Sequence, residues 1–175
     1  MAVRGPASAD SLLGEVALPA EWSRAREYLG EAPATYWLAT AGRDGKPHVR
    51  PILAVWADGS LFFCASESTR KIKNLALDPH CSISVEWERL DLVIEGMVVK
   101  VRDESRPKRV ADVYEATYGW RVTVRDGAFQ DTEGAPTAGP PPYDVHELVP
   151  TMAFGFGLDE TFTPTRWRFS TRTRR

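Results

Sequence analysis

Residues 36–80 read YWLATAGRDGKPHVRPILAVWADGSLFFCASESTRKIKNLALDPH. Three apolar runs, Tyr36–Ala41, His48–Trp56 and Leu61–Ala65, are separated by the pairs Asp44-Gly45 and Asp58-Gly59. Asp-Gly between such runs signals a hairpin, because tight turns need the positive φ that Gly adopts without steric cost. The runs therefore predict an antiparallel meander. A dinucleotide fold would instead need a crossover helix between parallel strands and a Gly-rich phosphate loop after the first strand, and this stretch has neither.

Outward from this segment the pattern continues. Pro19 and EWSRAREYLGEA predict a short helix ending near Gly30, with Trp22, Ala25 and Leu29 on its buried face. Thr69 is placed to cap a helix through Lys71, Asn74 and Leu77 that Asp78-Pro79 stops. CSISVEWE and LDLVIEGMVVKVRD read as strands, the second with a bend or bulge at Gly96. RPKRVADVYEATYGW restores helical spacing and ends at Gly119. Asp126 to Tyr143 is Gly/Pro-rich and reads as a long loop or flap carrying few ladder bonds, the expected source of substrate preference. VHELVPTMAFGFG and TPTRWRFS close the series. The expected architecture is all-β dominated: a six- to seven-stranded antiparallel barrel with a few peripheral helices. Residues 1–18 are expected to form a loosely held segment, 19–170 one domain and 171–175 a basic tail.

The chain has 175 residues, 43% hydrophobic and 26% charged, with a formal net charge of −2. That suits one globular domain and argues against general nucleic-acid binding, which favours a basic balance. No run reaches the roughly 18 to 20 apolar residues of a membrane span, so a cytoplasmic protein is expected. Cys64 and Cys81 are too few for a disulfide framework and read as buried thiols. His48, at the start of a strand, is read either as a hydrogen-bonding partner of a bound cofactor or, the favoured reading, as a solvent-facing residue, and with His80 and His146 scattered no metal site is expected.

The chemistry concentrates at residues 66–71. Ser66, Ser68 and Thr69 supply hydroxyls, Arg70 and Lys71 supply cationic donors, and a helix first turn supplies unpaired N–H groups. Together these suit a phosphate dianion, against the plainer reading of a solvated basic helix start.

The run LAT-x-x-x-DG-x-P-H-V-x-P followed by LFFCASESTRKIKNLALDP resembles the pyridoxamine 5'-phosphate oxidase-like superfamily of FMN-binding split barrels, which includes deazaflavin-dependent oxidoreductases. The resemblance covers residues 33–105 well, and TRWRF is similar to that superfamily's last strand. It implies a split barrel, a homodimer with the cofactor in a groove between subunits, and a phosphate held by Ser66, Ser68, Thr69, Arg70 and Lys71. It also implies a ring lying along Arg50, Pro51, Ile52 and Leu53, with Trp87, Trp167 and Arg168 completing the site from the second subunit. The cofactor it implies is F420, slightly favoured, or FMN; a tailed F420 would use Lys73, Arg50 or Arg121 at the mouth. The expected activity is hydride transfer to a small unsaturated or quinone-like substrate, the alternative being a non-catalytic carrier or sensor. No catalytic side chain is assigned, although Tyr118 and Tyr143 are candidate proton donors. One departure matters: pyridoxamine phosphate oxidases carry an Arg-x-His signature at the C-terminus, and TRWRFSTRTRR has no His, so that specific activity is not expected.

Overall fold

The computed structural model describes residues 5–31, 35–130 and 140–170. Its long central strand is β10 (Tyr143–Gly157), which changes neighbours halfway along. Its first half pairs with β5 (Ser60–Ala65) and the short β9 (Ala128–Gln130), its second half with β11 (Thr165–Arg168), and β7 (Leu90–Lys100) flanks both. Beyond β7 the ladder runs through β6 (His80–Trp87) and β2 (Tyr36–Ala41) to an edge strand, β3 (Pro47–Ile52). Every pairing is antiparallel, and three helices lie outside the sheet. This is the β-dominated barrel expected from the sequence.

The change of partners on β10 falls at a register shift between Pro150 and Met152. Pro150 has no N–H to give the ladder, and Thr151 serves two other neighbours: its hydroxyl donates to Glu95 O at 3.2 Å, and its carbonyl accepts from Phe169 N–H at 2.9 Å. The irregularity expected at Gly96 therefore lies on the facing strand. Gly96 itself permits the close approach, since a Cβ there would sit 2.2 Å from Val149 O and 2.9 Å from its carbonyl carbon. Both are backbone atoms of the central strand. Gly96→Ala is expected to cost at least about 3 kcal/mol and lower the thermal midpoint by roughly 6–12 °C, and an unchanged melt would refute this reading of the bulge.

Strands number eleven among the described residues, not six or seven. The expected 48–56 strand breaks at Leu53 into β3 and β4 (Ala54–Ala57), and β4 pairs only with β5. The carbonyls at the break are taken by helix α3 (Ser105–Tyr118): Tyr114 and Tyr118 hydroxyls donate to Leu53 O and Ala54 O at 2.7 and 2.6 Å. The chain thus leaves the first half of the barrel for the second, so the three runs are not one meander. Within the N-terminal segment expected to be loosely held, β1 (Ser8–Ser11) pairs with β11. The start of the expected loop is instead a hairpin, β8 (Thr123–Arg125) and β9, turning on Asp126 and Gly127, both at positive φ. Residues 131–139 of that loop and the 171–175 tail lie outside the described residues.

Alternate side chains of β5 divide the interior. Leu61 and Phe63 join the core under α1 (Trp22–Leu29), where Trp22, Ala25 and Leu29 are buried as their spacing predicts. Phe62 faces the other way, into a second core with Val110, Tyr114, Phe129 and Tyr143 beneath α3. The start of α3 is fixed by Asp103, whose Oδ1 accepts the N–H groups of Ser105 and Arg106 at 3.2 and 2.7 Å, as a capping carboxylate does. Among the described residues no helix is long and apolar enough to cross a membrane.

Candidate functional site

Helix α2 (Arg70–Leu77) is seated on β2 by a buried polar contact. Asn74 Nδ2 donates to Thr40 Oγ1 at 3.0 Å, and Leu75 is buried beside it. This fixes where the first turn of α2 lies relative to the edge strand. Thr69 occupies the position before the helix, as expected, but its hydroxyl donates back to Ser66 O at 2.8 Å and makes no capping bond to the first turn. Ser66 and Ser68 hydroxyls lie 3.1 Å apart. The loop is braced from outside by Lys100, which bridges Glu67 at 2.9 Å and Asp144 at 2.7 Å.

Register brings the cations together. Leu38 faces Arg50 and Thr40 faces His48 across the β2–β3 ladder. Directly opposed residues share a face, so Arg50 and His48 lie on the side where α2 packs. Arg70 reaches over the β2–β3 turn: a Cβ on Gly42 would be 3.6 Å from its Nη2. Lys71 is half-buried; desolvation holds its ammonium below the usual range, and neighbouring Arg50 pushes the same way against an opposing effect of Cys64. Among the described residues Arg50, Arg70 and Lys71 form no ion pair, while Asp44 in the adjoining turn is held by Lys46 at 2.9 Å. Three cations, two of them opening a helix that Thr69 does not cap, are an arrangement that could seat an anion, because bound negative charge would offset both their mutual repulsion and the desolvation of Lys71.

His48 belongs to the same group, although the sequence favours the solvent-facing reading over a ligand role for it. Burial, then Arg50, Arg70 and Lys71, hold its imidazole below the usual range, and Nδ1 is buried with no hydrogen-bond partner. The available signal was its i, i+2 spacing with Arg50 on an edge strand.

Other expected site residues fall elsewhere. Pro51 lies opposite Trp37 on the far face of β2–β3, Ile52 is half-buried and Leu53 is exposed at the strand break. Trp87 is packed between Tyr28 and Tyr36, at ring distances of 5.8 and 6.3 Å. Trp167 is wholly buried, stacked edge-on against Trp22 and donating its indole N–H to Ala20 O at 2.9 Å. It presents no surface to a ligand, and the expectation that it completes a site is corrected to core packing. Arg168 is held by Asp10 of β1. Arg121, considered for a cofactor tail, is bound by Glu115 at 2.5 Å. Tyr143 is fully buried, and Tyr118 spends its hydroxyl on Ala54 O. Burial pushes the thiols of Cys64 and Cys81 up to about 12, so both are neutral near pH 7 and supply no nucleophile. The described residues hold no group of three or more His, Cys, Asp or Glu arranged for a metal.

Comparison with known proteins places this geometry. A family model described as pyridoxamine 5'-phosphate oxidase matches residues 24–152, a span that includes β2 to β7 and the whole cation cluster. A pyridoxine/pyridoxamine 5'-phosphate oxidase of Burkholderia multivorans is 33% identical over 144 residues, covering 71% of this chain and 67% of that protein. The chain spans about two thirds of the length of the curated relatives it matches. Among solved structures, a conserved hypothetical protein of Mycobacterium tuberculosis superposes with a TM-score of 0.62 at 19% identity, covering 82% of this chain and 88% of that one. General Stress Protein 26 of Bacillus anthracis does so with a TM-score of 0.57 at 14% identity, covering 82% and 95%. These two likenesses are of fold. With the family model matching most of its length, the chain belongs to the pyridoxamine 5'-phosphate oxidase family, split-barrel proteins of a flavin-binding oxidoreductase superfamily.

Proposed function

We propose that the chain is a flavin-dependent oxidoreductase whose cofactor phosphate sits on Ser66, Ser68, Thr69, Arg70 and Lys71, with Arg50 adding a third cation. The observation that carries this reading is the convergence of Arg50, Arg70 and Lys71, without ion pairs among the described residues, on a helix start that Thr69 does not cap. A phosphate monoester supplies what the cluster lacks, up to two negative charges and three acceptor oxygens. When bound, the flavin ring supplies hydride transfer to a small unsaturated or quinone-like acceptor. The chain's own part is to hold the phosphate, to offer the β3 backbone around Arg50–Leu53 as one edge of the ring site, and to limit water there.

FMN is the cofactor we propose, in place of the slight preference for F420, because the family model and the curated relatives weigh toward the FMN-binding branch of the superfamily. Oxidation of pyridoxamine phosphate itself is not proposed, since the C-terminal strand has Arg166-Trp167-Arg168 and no His. A homodimer fits the far face of β2–β3, where Trp37, Val49 and Leu53 are exposed and Pro51 stands beside Trp37.

Parallel fluorescence titrations with FMN and F420 test the assignment. Tighter FMN binding is expected; tighter F420 binding would move the chain to the deazaflavin branch, and binding of neither would remove the redox reading. Binding without turnover over a broad panel of acceptors would favour a carrier or sensor.

A further inference from the structure

We propose that His48 is a proton-linked member of the anion cradle: it is neutral while the cradle is empty and takes up one proton from solvent when a phosphate dianion is seated. This rests on the phosphate reading of the cluster and adds a pH-dependent element to it. The step makes one N–H bond on the imidazole and consumes one solvent proton; no electrons change hands.

The placement carries the argument. His48 stands one register step from Arg50 on β3, opposite Thr40, whose hydroxyl receives the Asn74 bond that anchors α2. The charged groups acting on the ring are Arg50 from its own strand and Arg70 and Lys71 from α2. Thr40 of β2, the residue facing it, is uncharged, and Asp44 in the β2–β3 turn is already held by Lys46. The charges acting directly on the ring are therefore all positive, and the nearest carboxylate among the described residues, Asp44, is shared between Lys46 and the field of Arg70. Nδ1 is buried with no hydrogen-bond partner among the described residues, so a second N–H there would also be unsatisfied. Both effects keep the empty site neutral. A dianion beside Arg70 and Lys71 reverses the sign of the local field, and protonation becomes favourable.

The sign of the linkage is definite. Between the ring's value in the empty protein, which is lowered, and its raised value in the complex, the complex holds one proton more than the free protein. Affinity for a phosphate ligand therefore falls as pH rises through that window, about tenfold for each unit by which binding raises the ring's pKa. The ligand's own second ionisation, near pH 6, acts in the opposite direction, because the monoanion binds less well than the dianion. Wild-type affinity for FMN should pass through a maximum, whereas His48→Gln should rise to a plateau without the falling limb. Riboflavin, which lacks the phosphate, should show neither limb.

The decisive experiment is an FMN titration of wild type, His48→Gln and Lys71→Ala from pH 5.5 to 8.5, with calorimetry of the wild type in buffers of different ionisation enthalpy. A falling limb confined to proteins that keep His48, with proton uptake by the wild type, supports the proposal. Parallel profiles for wild type and His48→Gln, or no proton uptake by the wild type, overturn it while loss of FMN affinity in Lys71→Ala leaves the cradle standing. FMN affinity indifferent to Lys71→Ala overturns both. The calorimetric arm does not depend on the folding of any variant.

Discussion

Lys71→Ala is expected to weaken FMN binding about ten- to 150-fold, equivalent to the roughly 1.5–3 kcal/mol lost with a charge-assisted hydrogen bond, while leaving the thermal midpoint unchanged or slightly raised. The two halves of that result have one cause. Lys71 is half-buried and has no carboxylate partner among the described residues, so the empty protein carries a desolvated cation that a bound dianion would offset. Alanine removes the attraction and the desolvation together. Arg70→Ala should act in the same direction with smaller effect, because Arg70 is exposed and water screens its charge. Fluorescence titration with a parallel melt reads both quantities. Full affinity in Lys71→Ala would exclude the cradle as the phosphate site.

Local alternation made much of this fold legible. Tyr36–Ala41 appears as a strand with the bounds read from the sequence, and Trp22, Ala25 and Leu29 form one buried face. The Asp58-Gly59 turn has both residues at positive φ, as a tight hairpin requires. Asp126-Gly127 repeats that geometry, so the β8–β9 hairpin carried the same signal, outweighed by the Gly/Pro-rich residues after it. β1 had no comparable signal. SADS has no apolar alternation; backbone pairing holds it, and Asp10 meets Arg166 and Arg168 across more than 150 residues of chain. Such distant partners leave no periodic trace.

The same reasoning separates the candidate site residues that the fold brings together from those it does not. The 66–71 segment was readable because its groups are contiguous and a helix start gives them a common direction. Trp167 and Arg168 were assigned together, yet neighbours on a strand point to opposite faces. Thr165, Trp167 and Phe169 are buried while Arg166 and Arg168 are partly exposed, a pattern visible in TRWRF once it is read as a strand. A ligand role for His48 ranks second in the sequence for the complementary reason: Arg70 and Lys71 lie on another element, and only the seating of α2 on Thr40 brings them close.

Arg106→Ala is expected to destabilise the fold by about 3 kcal/mol, with the thermal midpoint falling roughly 6–12 °C. Arg106 joins three parts of the fold. Its Nη1 meets Glu147 Oε2 of β10 at 2.6 Å, and its Nε meets Asp103 Oδ2 at 2.5 Å. Glu147 Oε1 in turn accepts the Ser60 hydroxyl of β5 at 3.0 Å. The Glu147 side chain is only 8% exposed, so removing the guanidinium leaves a buried carboxylate with one neutral donor. The 19% exposure of Arg106 admits some water, which places the loss at the lower end of the range for breaking a buried pair. Glu147→Gln in the Arg106→Ala background removes the uncompensated charge and keeps an acceptor for Ser60, so the double variant should recover part of the loss. FMN affinity should change little in either variant that stays folded, because Arg106 braces α3 against β10 and β5 rather than the cation cluster. A double variant no more stable than Arg106→Ala would mean that the cost lies in the lost side-chain ion pair with Asp103, not in the buried charge.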